Sequence, residues 1–271
     1  MNERRSPGRW IGEQARLFFT AVMFMTRLPV PRWVGFQPEW LPRSTVYFPW
    51  VGVVVGLIAA GVYGLAAMAW PQPLPAVLAL AAGVCVTGAF HEDGLADTFD
   101  GIGGGTDRER VLAIMADSRI GSYGMVALVL VIACKLAALS VLSTTTDWAV
   151  PRALVAAHVL ARWSSLPLLW HYPYVRRTGG TGKPFAAGVD RFRLAVGTAA
   201  ALAIAAAALG WRAVPAVAAA GLATMLAGRD FRRRLGGITG DCLGAANQLV
   251  ELAVYLVLAA RLPSFLPMAF R

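Results

Sequence analysis

The chain has 271 residues, of which 57% are hydrophobic and 15% are charged, and its mean hydropathy is +0.58. This composition excludes an ordinary soluble domain and predicts an integral membrane protein. The net charge of +10 does not indicate nucleic-acid binding, because no basic helix with interleaved aromatic residues occurs and membrane topology accounts for the positive charges. The three cysteines lack the spacing of a disulfide framework or a zinc site.

Apolar windows along the chain predict an all-α fold, a polytopic membrane helical bundle. A bilayer core of about 30 Å requires roughly 20 apolar helical residues, and the windows favour seven membrane spans, with six or eight as alternatives. We therefore expect a single integral membrane domain over 1–271, with an N-terminal interfacial segment (1–45), a transmembrane bundle (46–260) and a short tail (261–271). The seven windows are 46–69, 74–90, 124–143, 149–171, 193–210, 213–228 and 242–260.

The basic residues between the spans predict the orientation of the chain. Arginines are concentrated in the connections 91–123, 172–192 and 229–241, and seven more precede the first span. The connections that alternate with these hold only Arg212. Short cytoplasmic loops accumulate Lys and Arg. The N-terminus and the three arginine-rich connections are therefore predicted to face the cytoplasm.

The connection after the second span carries an unusual concentration of acidic residues. Seven of the fifteen Asp and Glu residues of the chain lie within 92–117. Asp93, Asp97 and Asp100 are spaced i, i+4, i+7, so on a helix continuing from the second span their carboxylates share one face. Unpaired carboxylates repel one another, and a hard divalent cation such as Mg²⁺ or Mn²⁺ would remove that repulsion. The alternative is a solvated acidic face.

Two further carboxylates are candidate ligands of the same cation. Glu92 lies off the stripe but close to the end of the predicted helix. Asp241 lies at the start of the last span, on the same side of the membrane as the stripe by the predicted topology. The predicted metal ligands are thus Glu92, Asp93, Asp97, Asp100 and Asp241, and the predicted catalytic residues are Asp93, Asp97 and Asp100.

Phosphate-binding groups are predicted near the acidic motif. Lys135 and Arg162 lie inside predicted spans, where a charge is costly and normally faces the bundle interior or a wet cavity. Each binds substrate phosphate or, alternatively, pairs with a carboxylate. Arg119, which precedes a span, is a third candidate for phosphate or a simple topological anchor. Gly103 and Gly104 would let backbone N–H groups approach phosphate oxygens, although glycine runs also form plain turns.

Three long motifs resemble those of one enzyme family. They are His-Glu-Asp-Gly-Leu-Ala-Asp at 91–97, Asp-Ser-Arg-Ile-Gly-Ser-Tyr-Gly at 117–124 and Gly-Ile-Thr-Gly-Asp-Cys-Leu-Gly-Ala at 237–245. Together they resemble cobalamin synthase, the adenosylcobinamide-GDP ribazoletransferase family, and the similarity covers about residues 16–256. The Asp-Gly element at Asp93 is also similar to CDP-alcohol phosphotransferases, but their full run of four spaced aspartates is absent.

The resemblance implies a Mg²⁺-dependent, multi-pass enzyme of the bacterial cytoplasmic (inner) membrane whose active site faces the cytoplasm. Such an enzyme joins adenosylcobinamide-GDP to α-ribazole or α-ribazole 5′-phosphate, gives adenosylcobalamin or its 5′-phosphate, and releases GMP. In that reaction one carboxylate is expected to accept the proton of the attacking ribazole hydroxyl, with Asp100 as the preferred acceptor. The implied partners are these substrates and the lipid bilayer, with other cobalamin-assembly enzymes as further candidates.

Two other functions stay open at this point. One is CDP-alcohol phosphotransfer. The other is a polytopic membrane transporter, since Lys135, Arg162 and Glu251 could form a pathway through the bundle. A transporter would be expected to show two related halves, whereas the acidic cluster occurs once.

Overall fold

The computed structural model describes residues 7–176, 184 and 189–260, and the α-helical prediction is confirmed for this part of the chain. The predicted tail, 261–271, lies outside the described residues. In chain order the α-helices are α1 Pro7–Met25, α2 Trp40–Ser44, α3 Phe48–Ala67, α4 Leu74–Thr87, α5 Phe90–Gly104, α6 Arg108–Ile114, α7 Ser122–Leu142, α8 Ala149–Trp163, α9 Ser165–His171, α10 Arg191–Leu209, α11 Ala213–Leu235 and α12 Gly240–Ala259.

Five segments of the described chain are long and apolar enough to cross a membrane, and α4 with α5 makes a sixth if that bent pair is one span. The predicted number of seven is not confirmed by this measure. The helix α4 has only 14 residues, and α10 and α11 form one apolar segment of 45 residues. The other segments are Trp40–Ala67, Ser122–Leu142, Ala149–His171 and Gly240–Ala259.

The 45-residue segment folds back on itself. A straight helix of that length would extend about 68 Å, more than twice the thickness of a bilayer core. An ideal Cβ on Gly197 in α10 would lie 2.3 Å from Leu166 Cδ2, and one on Gly228 in α11 would lie 2.7 Å from Leu168 Cδ2. Both helices therefore approach α9 at the ends farthest from their connection, so they run antiparallel.

The first helix, α1, is not among the candidate spans. Its Leu17, Ala21 and Met25 are buried in the core of the bundle, whereas Trp10 and Ile11 are 55% and 61% exposed. A helix with one buried face and exposed aromatic residues is typical of a membrane interface. The interfacial position of residues 1–45 stays a prediction.

The acidic helix α5 is not a continuation of the second span, contrary to the prediction. It leaves α4 at an angle of 89°, because Gly88 and Ala89 adopt left-handed conformations with φ of 68° and 59°. The backbone N–H of Arg27 donates to the carbonyl oxygen of Val86 at 2.7 Å. The segment after α1 thus contacts the bend that redirects α5.

The centre of the bundle is α8, which packs against α3, α10 and α12. The contact between α3 and α8 requires two glycines. An ideal Cβ on Gly52 would lie 2.5 Å from the carbonyl oxygen of His158, and one on Gly56 would lie 2.6 Å from the Cα atom of Val155. Because these neighbours are backbone atoms, no side chain can be accommodated without separating the helices.

We expect Gly52→Val to destabilise the protein by about 3 kcal/mol or more, since the side chain would force α3 away from α8. Thermal unfolding in detergent measures the effect. Gly64→Val is the matched control on the same helix, because an ideal Cβ on Gly64 has no neighbour within 4 Å. An unfolding temperature for Gly52→Val equal to that of the control would contradict this view of the helix contact.

Candidate active site

The predicted acidic stripe forms on α5, with Asp93 exposed, Asp97 half-buried and Asp100 buried. The helix crosses the first turn of α12, which carries Asp241. An ideal Cβ on Gly94 would lie 2.8 Å from the carbonyl oxygen of Asp241. The two backbones are therefore in contact, which only glycine allows. This crossing brings Asp241 to the stripe, as the predicted topology requires.

Burial and the neighbouring carboxylates raise the pKa of Asp97 to about 7. The carboxylates responsible are Asp93, Asp241 and, with a smaller effect, Asp100, whereas Arg176 acts in the opposite direction. The helix that carries Asp97 has 15 residues and four carboxylates, so it is too short and too polar to cross a bilayer by itself. The mutual repulsion of these carboxylates would be relieved by a bound cation.

Arg176 belongs to the site, although the sequence indicated it only as one of the topological charges of the connection 172–192. The Nη2 atom of Arg176 lies 3.3 Å from Asp241 Oδ2 and donates to the carbonyl oxygen of Met115 at 3.0 Å. A short bridge positions this arginine, since the Val175 N–H donates to the Ile238 carbonyl oxygen at 2.9 Å. Nothing in the local pattern links residues 176 and 241, because the contact depends on that bridge.

Asp100 has a specific structural role. Its carboxylate accepts the backbone N–H groups of Gly121 at 2.7 Å and Gly124 at 2.8 Å, at the start of α7. An ideal Cβ on either glycine would lie within 2.4 Å of a carboxylate oxygen of Asp100. The glycines of the motif at 117–124 thus leave room for this carboxylate and donate backbone N–H groups to it. Both oxygens of Asp100 are held, so the preference for Asp100 as proton acceptor gains no support here.

The carboxylates at the crossing of α5 and α12 offer the oxygen ligands that hard divalent cations prefer. Within the described ranges, no three His, Cys, Asp or Glu side chains are placed to hold a metal ion together, and the predicted set of five ligands stays a prediction. Mg²⁺, however, is commonly held by one or two carboxylates, with water and substrate phosphates as the remaining ligands. The coupling of Asp97 to Asp93 and Asp241 shows that these oxygens share one electrostatic environment.

Glu92 does not join the acidic stripe. Glu92 precedes Asp93 by one position in α5, and because successive helical residues are rotated by about 100°, its side chain points about 100° away from that of Asp93. Its Oε2 atom is buried, has no hydrogen-bond partner among the described residues, and lies at a cavity that Arg162 also lines. The structure thus places Glu92 on a different face of α5 from the stripe, and its role as a metal ligand stays a prediction.

The predicted phosphate-binding Lys135 is buried and already paired. Its Nζ donates to Gln248 Oε1 at 2.6 Å and lies 3.0 Å from Glu251 Oε1. The other oxygen of Glu251 lies 3.3 Å from His158 Nδ1. Arg162 is 1% exposed, and its Nη1 donates to the carbonyl oxygen of His158 at 3.1 Å. These contacts favour, for Lys135, the alternative in which it neutralises a carboxylate inside the bundle. Arg162 contacts a backbone carbonyl oxygen instead, and its phosphate-binding role stays a prediction.

The remaining predicted phosphate-binding residues lie at the surface. Arg119 is exposed and binds Asp117 with an N–O distance of 2.6 Å, which holds the pKa of Asp117 down at about 2. Gly103 and Gly104 occupy the last turn of α5. An ideal Cβ on Gly103 would lie 2.5 Å from the ring of Tyr123. The glycine therefore provides space for an aromatic ring, and its phosphate-binding role stays a prediction.

The fold and the site define a helical protein of the multi-pass membrane type that gathers carboxylates where two helices cross. Its sequence matches the family model of cobalamin-5-phosphate synthase over residues 17–259, and the chain belongs to that family. No solved structure matches it.

Curated relatives share most of their length with this chain. Adenosylcobinamide-GDP ribazoletransferase of Leptothrix cholodnii is 49% identical, covering 90% of this chain and 94% of the relative. The protein of the same name from Shewanella frigidimarina is 42% identical, covering 93% of this chain and 97% of the relative. That from a Polaromonas species is 41% identical, covering 93% of this chain and 99% of the relative.

Proposed function

We propose that the chain joins adenosylcobinamide-GDP to α-ribazole or α-ribazole 5′-phosphate and releases GMP. The observation that carries this proposal is the acidic crossing of α5 and α12, built from the first and third family motifs. The relatives are named for this activity, and they match this chain over nearly their whole length. The product is adenosylcobalamin or its 5′-phosphate.

In the proposed reaction, a ribose hydroxyl of the acceptor attacks the phosphorus attached to cobinamide. The new P–O bond forms while the bond to the GMP oxygen breaks, and GMP leaves with the electron pair of that bond. Positioning and neutralisation of charge dominate such phosphoryl transfers. Mg²⁺, or Mn²⁺ in its place, would be held by Asp93 and Asp241 and would neutralise phosphate oxygens when bound.

Asp97 is the proposed proton acceptor for the attacking hydroxyl. A base works best when its pKa lies near the operating pH, and the pKa of Asp97 is about 7. Asp100, in contrast, is engaged by two backbone N–H groups. In this proposal Asp100 acts by fixing α5 against α7, and Arg176 limits the negative charge of the site.

A direct assay tests the function. Purified protein in detergent or vesicles is incubated with adenosylcobinamide-GDP, α-ribazole and Mg²⁺, and GMP and the cobamide product are quantified. We expect both in equal amounts. A transporter would release no GMP, and a CDP-alcohol phosphotransferase would consume a nucleotide-activated lipid instead. Absence of both products would overturn the proposal.

The pH dependence of transfer provides a second test. Protonated Asp97 cannot accept a proton, so activity should fall as the pH drops below the pKa of Asp97. The value of about 7 is that of the site without a cation, and a bound cation lowers it. We therefore expect the acid limb of the pH–activity profile to move to lower pH when Mg²⁺ is raised from subsaturating to saturating. An acid limb that stays at the same pH at both Mg²⁺ concentrations would contradict the role of Asp97 as proton acceptor.

The proposed orientation places the connections 91–123, 172–192 and 229–241 on the cytoplasmic side of the inner membrane. Single cysteines at Ser118, Thr181 and Arg233 should resist a membrane-impermeant reagent in intact cells and react in inverted vesicles. The predicted cytoplasmic position of Thr181 falls outside the described residues. A cysteine at Thr146, in a connection predicted to be external, should show the reverse pattern. Labelling of Ser118 from outside would break the proposed topology.

A further inference from the structure

The cavity lined by Glu92 and Arg162 lies on a different face of α5 from the acidic stripe. It has a volume of about 300 Å³ and is bordered by α4 and α7. Val77 and Ile132, one from each helix, line it and are 39% and 44% exposed. Leu80 and Leu136 line it farther in. The walls are therefore apolar, and the volume lies at the lower end of the range for small-molecule sites.

The floor of this cavity contains polar atoms without partners. His91 is 4% exposed, and neither of its ring nitrogens has a hydrogen-bond partner in the part of the chain that the structure describes. The same holds for Glu92 Oε2 and Arg162 Nε. All three side chains line the cavity. Buried polar atoms are normally hydrogen-bonded, and a ligand would satisfy these.

The charges around the floor balance one another. Lys135 and Arg162 contribute two positive charges, and Glu92 and Glu251 contribute two negative charges. Lys135 is held by Glu251 at 3.0 Å. A pyrophosphate would find no excess positive charge here, and its desolvation would be costly. The cavity therefore suits an uncharged ligand that is mostly apolar and has a few hydrogen-bonding atoms.

The cavity and the acidic stripe are separated only by the width of α5. His91 and Glu92 contact the cavity, while Asp93 and Asp97 face the crossing with α12. An α-helix with its side chains is about 10–12 Å across. That width is comparable to the length of a nucleoside, which would extend around the N-terminal end of α5, where His91 and Glu92 lie, to bring a ribose hydroxyl near the carboxylates.

We propose that the cavity between α4 and α7 binds the heteroaromatic base of the acceptor nucleoside, with His91 hydrogen-bonded to a ring nitrogen. This inference rests on the proposed function, in which the acceptor is α-ribazole, the riboside of dimethylbenzimidazole. That base is flat and uncharged, with two methyl groups for the apolar walls and an unsubstituted ring nitrogen for the imidazole. A neutral His91 can donate this bond, because each tautomer carries one N–H group.

Equilibrium dialysis of free 5,6-dimethylbenzimidazole against the full-length protein tests the cavity without turnover. Leu80→Trp narrows the cavity and should raise the Kd of the base about tenfold or more. His91→Phe keeps a ring but removes the hydrogen bond, and it should raise the Kd about tenfold. Leu78→Trp, on the same helix but not lining the cavity, should bind the base as the wild type does.

Steady-state kinetics then connect the cavity to the acceptor. Leu80→Trp and His91→Phe should raise the KM for α-ribazole and leave the KM for adenosylcobinamide-GDP unchanged. Unchanged Kd values for the base in both variants, or a rise confined to the KM for adenosylcobinamide-GDP, would overturn the proposal while the transferase function stands. A wild type that releases no GMP would refute the proposed function, and the dialysis would still decide whether the cavity binds the base.

Discussion

Asp97→Asn is expected to abolish transfer while leaving the protein folded and inserted. Asparagine has nearly the same volume but cannot accept the proton of the attacking hydroxyl, and loss of a general base typically costs about 10²–10⁴-fold in rate. The substitution also removes one of several mutually repelling carboxylates, so the unfolding temperature should not fall. GMP release at saturating Mg²⁺ measures the rate, and thermal unfolding in detergent measures the stability.

The corresponding change at Asp93 should be equally severe, because it removes a proposed cation ligand. Asp107→Asn is a matched control. Asp107 is exposed and caps α6 by accepting the N–H of Arg110 at 2.9 Å, and asparagine is an equally good cap. Near-normal transfer by Asp93→Asn or Asp97→Asn would remove that residue from the active site, whereas a loss in Asp107→Asn would point to a general effect of charge.

Lys135→Met is expected to destabilise the protein strongly without changing substrate affinity. Methionine keeps the apolar stem, but Glu251 would lose the ammonium group 3.0 Å from its Oε1 atom. An uncompensated buried charge of this kind costs about 3–5 kcal/mol. Denaturant unfolding in micelles measures the loss, and the KM for adenosylcobinamide-GDP measures the affinity.

The double variant Lys135→Met with Glu251→Gln separates the two roles of Lys135. Removing both charges should recover most of the stability, because neither partner is then left as an unpaired ion. If Lys135 holds substrate phosphate instead, the single variant should stay stable and bind adenosylcobinamide-GDP much more weakly than the wild type. That outcome would restore the phosphate-binding role predicted from the sequence.

The local sequence was sufficient to predict the class of protein and the acidic motif of the candidate active site. Apolar windows predict membrane-type helices because the bilayer sets their length and composition. The spacing of Asp93, Asp97 and Asp100 predicts one helical face because helix periodicity depends on neighbouring residues alone. The stripe exists on α5 as expected, and the family that the motifs around it resemble is confirmed by the match of the family model over residues 17–259.

Only the tertiary structure decided which charged groups meet. The 89° bend before α5 directs this helix so that Glu92 lines the cavity, whereas Asp93, one position later, lies on the acidic stripe. Lys135 pairs with Glu251, more than a hundred residues away, and Arg176 reaches Asp241 through a short backbone bridge. Such partners depend on how distant helices pack, since the desolvation cost of a buried charge is offset only by the particular group that packing places beside it.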